Sequence, residues 1–395
     1  MGTPPQIVEA ASARSELRGI RGESSPKPIQ PSPSSHLPVH DCNRLDIKAQ
    51  ATKTETVCFV AGRSGGHLVP CLTHAYQLRE KNPQTKIMLF STDAALDQKI
   101  VRDYPWVDRY IPLRLDNIPY RKFWLWPLFG FQLINSFFVS FMELRKTRPT
   151  KVISMGGFTT IPVCLAARIM DIPIELFELN VVPGRAIKFL TPCAQKIWLV
   201  FEQSMQYFTG KPAAVVPYPI RFSESAGMLP TAQARKNLDL LPTKKTVLIL
   251  GGSQGSVFIN TLLKAWIEHL SIEQRAHIQI IHQTGHHDTT NWYKFYREHA
   301  IPAVIFDFNT AIEQCYAAAD IVLCRSGAGT LFEVLFFGKR CITIPLETNT
   351  TAHQRENGFA MMHKYPALFT VVEQKVVEEK PEVLFKILDE GLSLQ

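Results

Sequence analysis

A chain of 395 residues exceeds what one ordinary hydrophobic core organises, so length alone predicts two domains of roughly 150 to 200 residues each. With 46% hydrophobic and 20% charged residues the composition is that of a globular protein, and a net charge of +8 points to an anionic partner, whether phosphate, nucleic acid or lipid headgroups. The eight cysteines stand singly with no CxxC pair, which argues against a zinc ribbon and a disulfide framework and fits a reducing cytoplasm.

Residues 1–53 are polar, and "SSPKPIQPSPSSHLP" at 24–38 is too rich in Ser and Pro to offset its ordering entropy by burial, so a disordered extension is expected. No basic cap precedes an apolar core there, which argues against a secretory signal, and Glu9, Glu16 and Glu23 weaken a transit-peptide reading. From residue 56 short β-branched runs alternate with helical stretches: "TVCFVAG", "KIMLFS", "KVISMG", "IPIELFE" and "KIWLVF" are strand candidates. Such alternation predicts a parallel sheet covered on both faces, here a first domain over 54–220. The proline-containing "VVPYPIRFSESAGMLPTAQ" at 215–233 reads as the hinge. A second series, "TVLILGGSQG", "IQIIHQTG", "AVIFDF", "DIVLCRSGAG" and "CITIPLE", predicts another α/β domain over 221–372, with 373–395 as a short tail.

One stretch breaks the pattern. "FWLWPLFGFQLINSFFVSFM" at 123–142 carries no charge over about the length that crosses a bilayer, flanked by Arg121, Lys122, Arg145, Lys146 and Arg148. Pro127, Gly130, Gln132 and Asn135 interrupt it, and a crossing would put strands of one sheet on opposite sides of the membrane. A buried helix and an apolar patch that dips into lipid are the other two readings, and they are compatible with each other.

Both domains open with a strand, a glycine turn and a helix, in "AGRSGGHLVP" at 61–70 and in "GGSQG" at 251–255. Glycine lets another molecule approach the backbone, and the helix start offers unpaired N–H groups to an anion. Glycine that merely packs helix on strand is the alternative for each. Neither turn continues into GKS or GKT, so neither is a Walker loop, and the lack of GxGxxG argues against a nicotinamide enzyme. "CRSGAGTLFE" at 324–333 adds hydroxyls on Ser326 and Thr330 and a carboxylate, Glu333, suited to two vicinal ribose hydroxyls or simply to the helix dipole. "HQREN" at 353–357 supplies Gln354 and Asn357, amides suited to sugar hydroxyls.

"GRSGGH", "SMGGFTTIP", "FELN", "GGSQG", "HQTG", "CRSGAGTLFE" and "HQREN", in this order and spacing, resemble the MurG family over about residues 56–372. These are N-acetylglucosaminyltransferases of peptidoglycan synthesis. The resemblance implies an α/β GT-B fold, two Rossmann-like domains facing across a cleft, with the lipid acceptor on the first and the nucleotide sugar on the second. It implies that His67 takes the proton from the C4 hydroxyl of the muramoyl sugar, with Ser64, Gly65, Gly66, Gly156, Gly157 and Asn180 on the acceptor side. Arg221, Gly252, Ser253, Gln254, Asn309, Ser326, Thr330, Glu333 and Gln354 become the UDP-N-acetylglucosamine side, and Arg325 supports the phosphate site or is structural. The implied partners are UDP-N-acetylglucosamine, undecaprenyl-linked lipid I and an anionic membrane surface, with no nucleic acid, no cofactor and no essential metal. The implied location is peripheral, on the cytoplasmic face of the bacterial plasma membrane, and the implied roles are cell-wall biogenesis, cell shape and division.

The chain departs from the family pattern at several places. Arg63 stands where a glycine is usual, Phe177 and Leu179 replace a histidine and a glutamine beside Glu178, "PYP" at 217–219 replaces Gly-Asn-Pro, and Gly329 replaces a leucine. The segment after Val372 is short, so the helix that returns to the first domain is expected to be incomplete. Because the acceptor half is altered more than the donor half, three alternatives stay open: transfer to another lipid, a UDP-sugar epimerase, and a catalytically silent precursor-binding protein.

Overall fold

The computed structural model describes residues 6–8, 55–62, 65–116, 119, 123–252, 254–307, 309, 311–347 and 352–394. Most of the expected extension lies outside them, as do Arg63, Ser64 and Ser253. After β1 (Gln6–Val8), the chain builds β2 (Thr56–Val60), β3 (Lys86–Thr92), β4 (Arg109–Leu113), β5 (Lys151–Ser154), β6 (Ile174–Glu178), β7 (Lys196–Leu199) and β8 (Ala213–Val215). These last seven form one parallel sheet in the order β4-β3-β2-β5-β6-β7-β8. Helices α1 (Gly65–Lys81), α2 (Ala95–Arg102), α3 (Trp126–Thr147), α4 (Thr160–Ile169) and α5 (Arg185–Leu190) alternate with the strands. Val57, Cys58, Phe59 and Val60 of the central β2 are all fully buried, and successive residues point to opposite faces, which is why the strand reads as an apolar run without alternation.

The second sheet follows α6 (Glu224–Gly227) and α7 (Thr231–Asn237). Its parts are β9 (Lys245–Leu250), α8 (Val257–His269), α9 (Ile272–Ala276), β10 (Ile278–Gln283), α10 (Trp292–Glu298), β11 (Ala303–Phe306), α11 (Glu313–Ala318), β12 (Ile321–Cys324), α12 (Ala328–Phe336), β13 (Arg340–Thr343), α13 (Ala352–Lys364) and β14 (Phe369–Val371). The order is β1-β11-β10-β9-β12-β13-β14, all parallel except β1, which pairs antiparallel with Gln6 opposite Ile305. Residues 6–8 of the expected disordered extension therefore form an edge strand.

Residues 373–395 are more than a tail. Helices α14 (Gln374–Glu379) and α15 (Glu382–Leu392) bury Leu384, Leu388 and Leu392 in the core of the second domain, a spacing of four that puts all three on one helix face. Trp266 of α8 donates its indole N–H to Asp389 at 2.9 Å, closing that layer.

The uncharged stretch becomes a short 3-10 turn (Phe123–Leu125) followed by α3, long and apolar enough to cross a membrane by length and composition. Phe129, Gln132, Ser136, Ser140 and Leu144 face inward, and α3 packs along α4. Gln132 ties the helix down by accepting from the Asp116 amide at 3.1 Å and donating to its carboxylate at 2.9 Å. Large apolar residues also face outward: Phe131, Phe138 and Met142 are 67%, 59% and 62% exposed. A helix of a soluble protein keeps its apolar residues on the inner side; α3 is apolar on its outer side as well, so it is not simply a buried helix.

Candidate active site

In the first domain β2 ends at Val60 and the chain turns into α1, whose third residue is His67. The turn is braced by a neighbour: the Gly62 amide donates to Gly156 O at 2.8 Å, and a Cβ on Gly62 would lie 2.5 Å from Gly157 Cα. Gly157, at φ +85°, supplies the matching bare backbone. Gly156 and Gly157, expected on the acceptor side, are not among the residues that line the cleft. They form the backbone shelf behind the histidine, because β5 runs beside β2 and delivers its turn against the first one. Gly65, Gly66 and His67 do reach the cleft.

Asn180 is set by the buried Glu178. One carboxylate oxygen accepts from the Asn180 amide at 2.8 Å and from its side-chain nitrogen at 3.1 Å, and the other accepts from the Gly184 amide at 2.9 Å. Burial raises the Glu178 pKa even against these bonds. Asn180 Oδ1 in turn accepts from Asn357 Nδ2 at 3.0 Å, and Asn357 Oδ1 accepts from the Val181 amide at 2.9 Å. Asn357 is fully buried, so it ties α13 of the second domain to the first and is not the sugar ligand expected from its motif. Of the two altered positions beside Glu178, only Leu179 lines the cleft; Phe177 is core, its ring 5.0 Å from that of His74.

In the second domain the turn after β9 crosses the turn after β10. A Cβ on Gly255 would lie 2.5 Å from Gly285 Cα, while Gly252 faces open space. Ser256 caps α8 by accepting from the Ile259 amide. Arg325 is a scaffold: it donates to Ser256 Oγ at 3.3 Å, Ile344 O at 3.2 Å and Gln374 Oε1 at 2.9 Å, and burial lowers its pKa to about 10. Ser326 is fully buried and hydrogen-bonded to the Thr343 hydroxyl at 2.7 Å, so it does not line the cleft as expected. The strand-to-helix turn points it down between β12 and β13 rather than outward.

Gly327 caps α12 without a side-chain hydrogen bond, leaving first-turn N–H groups beside the cleft, with Thr330 in that turn. One turn on, Glu333 accepts from Arg221 Nε at 2.8 Å and from the Tyr316 hydroxyl at 2.8 Å. Burial works against the Arg221 charge, but Glu333 and Tyr316 outweigh it and raise its pKa. Gln354 accepts from the Leu346 amide at 3.0 Å, and Asn309 from the Ala311 amide at 2.9 Å.

All these surfaces meet in one cleft of about 610 Å³. From the first domain it takes Gly65, Gly66, His67 and Asn180; from the hinge and second domain it takes Arg221, Gly252, Gln254, Asn309, Thr330, Glu333 and Gln354. Tyr218, Gln283, Tyr316 and His353 also line it. Tyr218 sits in "PYP", whose departure from the family pattern is its only sequence signal, and Tyr316 lies on a helix with no motif. Among the described residues no group of three or more His, Cys, Asp or Glu is placed to hold a metal ion.

Two Rossmann-like domains joined by a hinge, with a cleft between the C-terminal ends of their sheets, define the GT-B fold. The glycosyltransferase family 28 N-terminal domain matches residues 57–199 and the family 28 C-terminal domain matches 246–394. A UDP-N-acetylglucosamine--N-acetylmuramyl-(pentapeptide) pyrophosphoryl-undecaprenol N-acetylglucosamine transferase of Thermodesulfovibrio yellowstonii is 30% identical over 78% of this chain and 83% of its own length. The transferase of the same name from Trichlorobacter lovleyi is 28% identical over 80% and 84%. The crystal structure of Acinetobacter baumannii MurG superposes with a TM-score of 0.62 at 20% identity, covering 85% of this chain and 90% of that one. The chain belongs to glycosyltransferase family 28, among the transferases of this MurG type.

Proposed function

We propose that the protein transfers N-acetylglucosamine from UDP-N-acetylglucosamine to the C4 hydroxyl of undecaprenyl-pyrophosphoryl-N-acetylmuramyl-pentapeptide, with inversion at the anomeric carbon. The observation that carries this reading is that His67 of one domain and Thr330, Glu333 and Gln354 of the other line a single cleft. His67 takes the hydroxyl proton as the oxygen attacks the anomeric carbon, the carbon–diphosphate bond breaks on the opposite face, and UDP leaves. An imidazole suits this step because it titrates near neutral pH. Charge developing on UDP is met by N–H groups at the start of α12 and around Gly252, so the chemistry calls for no metal. Glu333 and Arg221 hold the ribose and phosphate, Gln254 and Gln354 the sugar, and Gly65, Gly66 and Asn180 the acceptor.

The outward face of α3 supports peripheral attachment to the cytoplasmic leaflet, where a polyprenyl-linked acceptor resides, with Arg145, Lys146 and Arg148 at one end of the helix toward anionic headgroups. The test is incubation of the full chain with labelled UDP-N-acetylglucosamine and lipid I in vesicles containing a chelator. Formation of lipid II is expected. Epimerised or hydrolysed donor without a lipid product, or label passing only to a diacylglycerol, would contradict the reading.

A further inference from the structure

We infer that Tyr218 is a donor-positioning residue whose phenol O–H, standing at the start of α12, donates to the diphosphate of a bound nucleoside diphosphate. The inference rests on the donor reading above and adds to it a contact from the hinge. Tyr218 is 9% exposed and its ring lies flat on Phe332 of α12, with centroids 4.8 Å apart and an interplanar angle of 11°, so its plane is fixed. Its hydroxyl end reaches over the second residue of that helix: a Cβ built on Gly329 would lie 3.0 Å from Tyr218 Oη.

That contact explains why the helix carries glycine there. Gly329 has no left-handed backbone to require it, and glycine is second only to proline as a poor helix residue. What the missing side chain leaves is room for the phenol. Among the described residues no group shares a hydrogen bond with the Tyr218 hydroxyl, yet the residue lines the cleft beside Gly327, Ala328, Gly329 and Thr330. A hydroxyl that opens on the cleft without a protein partner, carried by a ring locked in place and aimed at the start of a helix, is matched to an anionic oxygen. Burial, reinforced by Glu333, raises the phenol pKa, so the group stays a donor. The two departures from the family pattern, tyrosine at 218 in place of asparagine and glycine at 329 in place of leucine, are thus one exchange: the room a leucine side chain would fill is taken by the longer phenol.

The test is titration calorimetry of UDP and of uridine on the full chain, with Tyr218→Phe, Gly329→Ala and the double variant. Tyr218→Phe keeps the stacking on Phe332 and is expected to bind UDP about tenfold more weakly with uridine unchanged, the loss of one hydrogen bond to a charged acceptor. Gly329→Ala is expected to weaken UDP several-fold alone but not in the Tyr218→Phe background, where the nearest ring atom is Cζ at 3.9 Å. Unchanged UDP affinity in Tyr218→Phe or in Gly329→Ala, or equal loss of UDP and uridine, overturns the inference. Failure of the unsubstituted chain to bind UDP overturns the donor reading itself, and this inference with it.

Discussion

Arg221 Nε lies 2.8 Å from Glu333 Oε1, so two side chains 112 positions apart, both assigned to the nucleotide, grip each other. The Tyr316 hydroxyl takes the other carboxylate oxygen at 2.8 Å. The carboxylate is therefore oriented before any ligand arrives, and a ribose held there as proposed would share it with Arg221 and Tyr316. Glu333→Gln is expected to raise the donor KM about tenfold with a smaller effect on kcat. Removing one partner also strands the other: Arg221→Ala should cost about 3 kcal/mol of stability by urea unfolding, and Arg221→Met with Glu333→Leu clearly less. Equal losses in the single and double variants would count against a mutually compensating pair.

Asn357 joins the domains through Asn180 and the Val181 amide. Asn357→Ala should lower kcat/KM about tenfold while leaving UDP affinity within about twofold, since the donor side is untouched but its alignment with His67 is not. Unchanged kcat/KM would mean that the bond does not hold the two halves in register.

Burial lowers the pKa of His74, chiefly by desolvation and further by Lys151, from 6.5 to about 4. Between those values the unfolded chain binds a proton that the folded one refuses, so stability is greatest above pH 6.5 and falls as the pH drops through the window. His282, lowered to about 3, acts in the same direction. Between pH 7 and pH 5 the parent chain should lose about 2 kcal/mol more than His74→Phe, measured by denaturant titration. Parallel pH profiles would contradict this.

The outward face of α3 predicts a membrane phenotype. Phe131→Asp with Phe138→Asp should leave thermal stability nearly unchanged, because both side chains are exposed, yet abolish flotation with anionic vesicles. Persistent flotation of the double variant would show that another surface makes the contact.

Much of this was legible in the sequence. The alternation of β-branched runs and helices specified two parallel sheets, and the glycine turns marked where each sheet opens onto the cleft. Other features depend on packing that no local pattern carries. Ser326 and Asn357 look like ligands in their motifs but point into the protein, Ser326 from a strand-to-helix turn and Asn357 from within α13, because the spacing of a motif does not say which side of a turn or helix is buried. Gly156 and Gly157 read as a binding loop, but the approach of Gly62 accounts for the glycine at 157 and a left-handed φ of +82° for the one at 156. The helices after Val372 looked like a remnant because their partners, Trp266 among them, lie more than a hundred residues away.

The central claim is that His67 serves as the base for a sugar held by the other domain. Its most direct measurement is the turnover of His67→Ala with UDP-N-acetylglucosamine and lipid I, alongside calorimetric UDP binding by the same variant. A fall in kcat of about 10²- to 10⁴-fold with UDP affinity unchanged is predicted. Retention of parental turnover by this variant would contradict the account.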